Sequence, residues 1–379
     1  DPHGRLPDEW CEHGLSEPAV LECGRLAVPL RAYGKPVGYA VLAREPGRAP
    51  FAEADLLVAD QLGMSTALSI YHGRQLETVE ALQRGMVPNA PPRLPGVEIA
   101  YRYRPSGARV GGDWFDVIPL PGSRVALVVG DVMGHGLDAA AVMGQLRTAV
   151  QTLASLDLPA EQVLHALDEM AQRLAAQTLT TCVYCVYDPV LRRCTVASAG
   201  HLPPIMADGR GEAWLLRPPR CPPIGLGRTT FETVEVTAED DSLLVLYTDG
   251  LVERRGEDLC QGVEELRRRV ADGPRPVEEL CDRLLAQAPA QSDDVTLLAI
   301  RFRGIPSGDV ANWFLEPMTQ TPSRVRRLIR RALTEWDLSA MVPLTELLAS
   351  ELVTNAVRYA SKPIAVRLVR TDALLCEVR

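Results

Sequence analysis

Branched and aromatic apolar residues fall into short runs along this chain, and the runs predict its elements. Over 97–103, 125–129, 181–187, 194–198, 243–247 and 296–302 they persist for about the length of a strand. Between these runs, 137–153 and 160–176 repeat apolar residues at helical spacing. Strands towards both ends with helices between predict an α+β layered sandwich over 97–303. Upstream, 26–30 and 37–43 read as two strands joined by Tyr33-Gly34-Lys35, followed by a helix over 51–68 with acidic residues in its first turn. Downstream, 323–336 and 344–359 read as helices and 364–369 as a strand.

The helical pattern continues through Leu68, Leu76, Val79, Leu82 and Met86 until the proline cluster of 88–96 breaks it. Such a stripe could form a parallel dimer seam or pack on its own domain, and the pattern leaves both open. The expected organisation is a small N-terminal domain over 1–75, a helical linker over 76–96, a central domain over 97–303 and a third segment over 309–379.

Four acidic, glycine-flanked stretches mark the central span: Asp113 after two glycines, Asp131 in Gly-Asp-Val-Met-Gly-His-Gly, Asp249 in Thr-Asp-Gly, and Asp293-Asp294 before Val295-Thr296. Three of them abut apolar runs, which would present the carboxylates at strand ends. Converging carboxylates repel one another and need a cation between them. An all-oxygen set suits hard divalent ions, and magnesium or manganese is favoured over zinc. Gly130, Gly134 and Gly136 would let backbone carbonyls approach the ion.

Composition narrows the alternatives. The chain has 379 residues, 46% hydrophobic and 23% charged, with a net charge of -9, so two or three globular domains are expected and a general nucleic-acid binder is not. The basic run Arg324, Arg326, Arg327, Arg330 and Arg331 alternates with Val325, Leu328, Ile329 and Leu333, as on the solvated face of an amphipathic helix. No apolar run reaches membrane-spanning length. The opening Asp1-Pro2-His3-Gly4 shows neither an initiator Met nor a signal segment, so the chain reads as an excerpt of a cytoplasmic protein. Its nine cysteines lack framework spacing and are expected to be reduced thiols. Cys182 and Cys185 lie on a strand, which sends positions three apart to opposite faces and argues against a zinc or redox pair.

The central span resembles the metal-dependent serine/threonine protein phosphatases of the 2C type, in their bacterial SpoIIE-like branch. The resemblance rests on Gly-Gly-Asp-Trp-Phe-Asp ending at Asp116, the Asp131 motif, Ala-Gly-His-Leu-Pro-Pro around His201, Tyr-Thr-Asp-Gly-Leu-Val-Glu ending at Glu253, and Asp-Asp-Val-Thr-Leu-Leu from Asp293, all in order. It implies a β-sandwich flanked by helices, with two Mn2+ or Mg2+ ions at one end. By motif, Asp131 would bridge both ions, Val132 would supply a carbonyl, Asp113 would bind one ion, and Asp249 and Asp293 the other, with Asp294 as an alternative to Asp293. A metal-activated water would then hydrolyse a phosphoserine or phosphothreonine without a covalent enzyme intermediate. His135 and His201 are expected to shape the site more than to transfer protons. Arg109 sits where eukaryotic relatives place a phosphate-binding arginine, which SpoIIE-like members often lack. Asp116 and Asp188 read as turn or capping residues.

The flanking segments carry resemblances of their own. Leu26-Ala-Val-Pro-Leu30, then Gly38 to Arg44, then Phe51 to Leu56, is similar to the C-terminal part of a GAF sensor domain. Glu346 to Ala360 resembles the N-box helix of GHKL-type ATPases in the branch of anti-sigma-factor kinases, which implies Asn355 on the magnesium of ATP and Glu351 beside the attacking group. The nucleotide-closing boxes would lie past residue 379, so ATP-Mg binding is expected only in a complete protein. This domain company implies a phosphorylated STAS-type anti-sigma-factor antagonist as partner. The competing expectation is a non-catalytic sensor or interaction scaffold of the same pathway.

Overall fold

A computed structural model describes residues 17–379 except 22–24, 46–47, 87–91, 93, 106–110, 135, 175–177, 228–229, 255, 274–275, 290–292 and 360–362, and gives the backbone alone over 71–86. Arg109 and His135, the proline cluster in large part, and the stripe side chains from Leu76 to Met86 fall outside the described residues. The chain divides into two compact units, 1–84 and 85–379.

In the first unit, β1 (Ala19–Val20), β2 (Leu26–Ala32) and β3 (Lys35–Leu42) form an antiparallel sheet against helix α1 (Glu53–Met86). The helix read over 51–68 and its continuation to Met86 form one element. Leu26, Val28 and Ala59 are buried together with Phe51 and Leu56, and Leu30, Ala32 and Ala67 form a second small cluster. Gly63 lets α1 approach β2, because a Cβ there would lie 2.7 Å from Val28. The Arg44 and Phe51–Asp55 motif has a local purpose. Arg44 pairs with Asp55 at 2.7 Å and stacks 4.4 Å over the Phe51 ring, while Asp55 accepts the Ala52 N–H.

The second unit is built on two five-stranded antiparallel sheets. Sheet I runs β10 (Ala213–Leu215), β9 (Ile205–Ala207), β12 (Leu243–Tyr247), β13 (Val295–Phe302), β4 (Val97–Arg104). Sheet II runs β11 (Thr233–Thr237), β8 (Arg193–Ala199), β7 (Thr180–Asp188), β6 (Val125–Val132), β5 (Asp113–Pro119). Their inner faces meet in a core that includes Phe115, Leu127, Val183, Leu244, Leu298 and Phe302. Two aromatic pairs join the sheets, Tyr101 with Phe115 and Tyr187 with Phe302, at centroid distances of 4.5 and 4.3 Å.

Helices α2 (Leu137–Ser155) and α3 (Ala160–Ala171) cover the outer face of sheet II through Leu146, Val150, Leu164 and Leu167. Helices α4 (Leu259–Ala271) and α5 (Val277–Ala286) cover sheet I through Val263, Leu266, Leu280 and Leu284. The result is the expected helix-flanked sandwich. Central strands buried on both faces read as unbroken apolar runs, which is why β6, β12 and β13 were visible in the sequence. Cys182 and Cys185 of β7 enter different cores on opposite sides of sheet II, and every cysteine among the described residues is free.

Two expectations change here. Asp116 is not a turn residue: it is buried in β5, where Arg147 (3.1 Å) and Gln151 (2.6 Å) of α2 satisfy its carboxylate. Asp188 does cap a turn, accepting the Val190 and Leu191 N–H groups.

A third sheet, β14 (Val310–Leu315), β15 (Ile364–Arg370) and β16 (Leu374–Val378), packs under α6 (Thr321–Glu335) and α7 (Val342–Tyr359). Val325, Ile329 and Leu333 are buried there, and the arginines between them are exposed, three of them engaging Ser350, Glu346 and Glu335. Among the described residues no helix is long and apolar enough to cross a membrane.

Gly130 lies under the Trp114 ring, where a Cβ would come within 2.1 Å of an indole carbon. Gly130→Ala should therefore lower unfolding stability by about 1–3 kcal/mol in urea titrations. Gly308→Ala, at a position with no atom within 4 Å of the added carbon, should change it by less than about 0.5 kcal/mol.

Candidate metal centre at the end of the sandwich

Strand direction gathers the acidic motifs at one end. β6 ends where β7 begins, β12 ends where β13 begins, and the register sets Asp113 directly opposite Asp131 on neighbouring strands. Asp249 opens a 3-10 turn, Asp249–Leu251, just past β12, and Asp293-Asp294 stands just before β13. Gly250 allows these two loops to touch, since a Cβ there would sit 2.0 Å from the Asp294 carbonyl oxygen. Gly112 leaves room for the Val132 carbonyl in the same way, at 2.2 Å.

A hydroxyl ties the two sheets together at this point. Thr248, after β12 of sheet I, donates to the Asp113 carboxylate of sheet II at 2.6 Å, and its own oxygen accepts the Thr296 N–H at 2.9 Å. Asp113 and Thr248 are buried, so the orientation of this carboxylate is set by protein and not by solvent. The last motif splits between two environments. Asp294 is buried, accepts the Tyr103 hydroxyl at 2.9 Å and fills the space that a side chain at Gly111 would need. Asp293 is exposed and accepts the Asp294 N–H at 2.8 Å.

Mutual repulsion shows in the titration of the cluster. Burial, with help from Asp131, pushes the Asp113 carboxyl well above the ordinary carboxylate range. Burial together with the charges of Asp249 and Asp293 raises Asp131 to about 7. Asp249 rises to about 6 through burial and then the charge of Asp293. All five aspartates thus take part in one another's field, Asp294 acting on both Asp113 and Asp131. Among the described residues no three His, Cys, Asp or Glu side chains already close round a common point as a formed metal cage. What the structure shows is a set of carboxylates at one end of the sandwich, near enough to act on one another's charge. That donor set fits hard divalent cations, whose charge would relieve the repulsion.

His201 is held between the sheets: its Nδ1 lies 2.7 Å from the Thr181 hydroxyl and its Nε2 lies 3.0 Å from the Tyr247 carbonyl, to which it must donate. Desolvation lowers its pKa to about 4, so the ring stays neutral. It positions strands instead of shuttling protons. Glu351 and Asn355 do share one face of α7, where both are exposed, but in the module built on β14–β16 and not with the carboxylates. Thr248, Thr296 and Tyr103 were not anticipated. Thr248 stands within a quoted motif, but its role depends on a partner more than a hundred positions away, and Tyr103 carries no local signal.

A family model described as Stage II sporulation protein E (SpoIIE) matches residues 121–303. The chain is 27% identical over 227 residues to phosphoserine phosphatase RsbP of Bacillus subtilis, covering 58% of this chain and 54% of that protein. It therefore spans about half the length of that curated relative. Among solved structures, the RsbU and RsbW domains of Rv1364c from Mycobacterium tuberculosis match at 32% identity and a TM-score of 0.52, over 73% of this chain and 81% of that one. The SiaA-PP2C domain of Pseudomonas aeruginosa shares the fold at 23% identity and a TM-score of 0.53, over 61% of this chain and 96% of that one.

The raised carboxyls predict how the metal-free protein responds to pH. In the unfolded chain Asp131 ionises near 3.8, but in the fold it does so near 7, so the folded state binds the proton more tightly. This contribution is present in full below the lower value and is lost as pH rises through the upper one. Metal-free protein should accordingly lose thermal stability between pH 5 and pH 8, Asp131→Asn should flatten that loss, and added Mn2+ should restore the midpoint at pH 8 in the wild type. An unchanged slope in Asp131→Asn would count against the coupling.

Proposed function

The chain belongs to the SpoIIE family, and on that premise we propose that it is a metal-dependent phosphoserine/phosphothreonine protein phosphatase. The observation that carries the proposal is the placement of Asp113 opposite Asp131, with Asp249 and Asp293 raising the Asp131 carboxyl from the neighbouring sheet. Two Mn2+ or Mg2+ ions held by Asp113, Asp131, the Val132 carbonyl, Asp249 and Asp293, with Asp294 as the alternative in the last pair, would activate water for attack on a phosphomonoester. Thr248 holds the Asp113 carboxylate in orientation, and the Tyr103 hydroxyl does the same for Asp294. Asp294, buried, committed to Tyr103 and packed against Gly111, suits a supporting place, and the exposed Asp293 is freer to meet an ion. His201, locked neutral, keeps β7 and β12 in place beneath the site.

The flanking modules extend the reading. Residues 1–75 serve as the C-terminal part of a GAF-like sensor and 76–96 as its linker, with α1 exposing Leu57, Val58 and Leu62 as a surface suited to homodimer contact. Residues 309–379 serve as the first part of a GHKL-type ATPase domain in which Glu351 and Asn355 would meet ATP-Mg. Support for this last step comes from the match to the Mycobacterium tuberculosis structure, which extends over more of the chain than 97–303 alone provides. A phosphatase beside a kinase-like module acts on a phosphorylated regulator, for which a STAS-type anti-sigma-factor antagonist is the candidate.

Hydrolysis of para-nitrophenyl phosphate tests the enzyme directly. Turnover should require Mn2+ or Mg2+, vanish with chelator, and fall by at least a hundredfold in Asp131→Asn. A folded wild-type chain without metal-dependent turnover would favour the scaffold reading.

A further inference from the structure

A cleft of about 660 Å³ opens at the same end of the sandwich as the carboxylates. Leu202, Pro203, Leu215, Pro218, Leu259 and Val263 give it apolar walls, and its floor includes His201. The floor is linked to the acidic site through one intervening residue on each sheet. Thr181, partner of the His201 ring, pairs in register with Asp131, and Tyr247, the other partner, precedes the Thr248 that holds Asp113. The Tyr247 hydroxyl in turn donates to the Pro203 carbonyl in the cleft wall, at 3.0 Å.

Two cations stand on the rim. Arg217 and Arg220 are exposed, and among the described residues neither has an ion-pair or hydrogen-bond partner. The carboxylate lining the same cleft, Glu264, is already neutralised by Arg267 at 2.6 Å. The two arginines are separated only by Pro218 and Pro219, whose fixed φ angles stiffen the segment. Both ends of this rim are anchored. Leu216 donates its N–H to the Pro204 carbonyl, Ile224 pairs with Thr180, and the buried Asp168 of α3 accepts the N–H groups of Gly225 and Gly227 at 2.7 and 3.3 Å. A stiff, doubly anchored loop that presents two uncompensated positive charges on the rim of this cleft, on a chain of net charge -9, is a local reversal of the protein's field.

We infer that this cleft is the docking site for the phosphorylated protein's own flanking segment, with an apolar side chain seated between Leu215, Leu259 and Val263 and acidic side chains on Arg217 and Arg220. The inference rests on the phosphatase reading for the orientation of the phosphoserine towards the carboxylates. Charge complementarity selects the occupant: an acidic segment would be repelled by the carboxylate cluster and is received here by the only uncompensated cations on the cleft rim among the described residues. Apolar walls supply the anchor that an exposed ion pair alone does not.

The test uses two synthetic phosphoserine peptides, one flanked by Glu and Leu and one flanked by Lys and Leu, with unphosphorylated fluorescent versions of each. The wild type should show at least tenfold higher kcat/KM for the acidic peptide, expressed mainly in KM. Arg217→Glu with Arg220→Glu should bring the ratio below one, and Arg217→Lys with Arg220→Lys should retain it. Fluorescence anisotropy of the unphosphorylated acidic peptide should show binding weakened at least tenfold in the Glu variant. An equal preference for the two peptides in the wild type would overturn the inference, as would the same loss in the Lys variant. Anisotropy needs no turnover, so a protein that discriminates the peptides without hydrolysing them would separate failure of the phosphatase reading from failure of the docking site.

Discussion

Like charges brought together are the constraint on which the rest of this structure depends. Sheet II sets Asp113 opposite Asp131, sheet I brings Asp249 and Asp293, and neither sheet alone gathers all four. Their repulsion has to be withstood by the packing behind them: the aromatic pairs between the sheets, the buried hydroxyl of Thr248, and the close approaches that Gly112, Gly130 and Gly250 allow. A hard cation placed there would relieve that repulsion, so the feature that weakens the metal-free fold would also favour such an ion. Stability and ion binding are two readings of one electrostatic term.

Much of the architecture was legible because the central strands are apolar on both faces. β6, β12 and β13 announced themselves, and so did the helices that end in clear apolar repeats. β5 did not, because Asp113 and Asp116 interrupt its pattern, and only α2 explains why a buried Asp116 is tolerated. β9 and β10 are three residues each, too short to show a period. α4 was hidden by its charges, although Val263, Leu266 and Val270 mark a buried face at helical spacing.

The acidic residues themselves were legible from glycine context and recurrence. Their supporting partners were not. Thr248 acts on Asp113 across 135 positions and Tyr103 on Asp294 across 191, and separations of that size leave no local trace. The same holds for the partners of His201, which was expected to shape the site but whose two ring nitrogens prove to be committed to Thr181 and Tyr247. Only the tertiary pairing shows that the imidazole is a strut.

The Thr248 hydroxyl carries one further consequence. It is the point at which sheet I grips a carboxylate belonging to sheet II, and a hydrogen bond of this kind fails once donor and acceptor separate beyond about 3.5 Å. A small shear of one sheet past the other would swing Asp113 out of line well before the hydrophobic layer between them came apart. Slip between the two layers would therefore disturb the aim of this carboxylate before it disturbed the core.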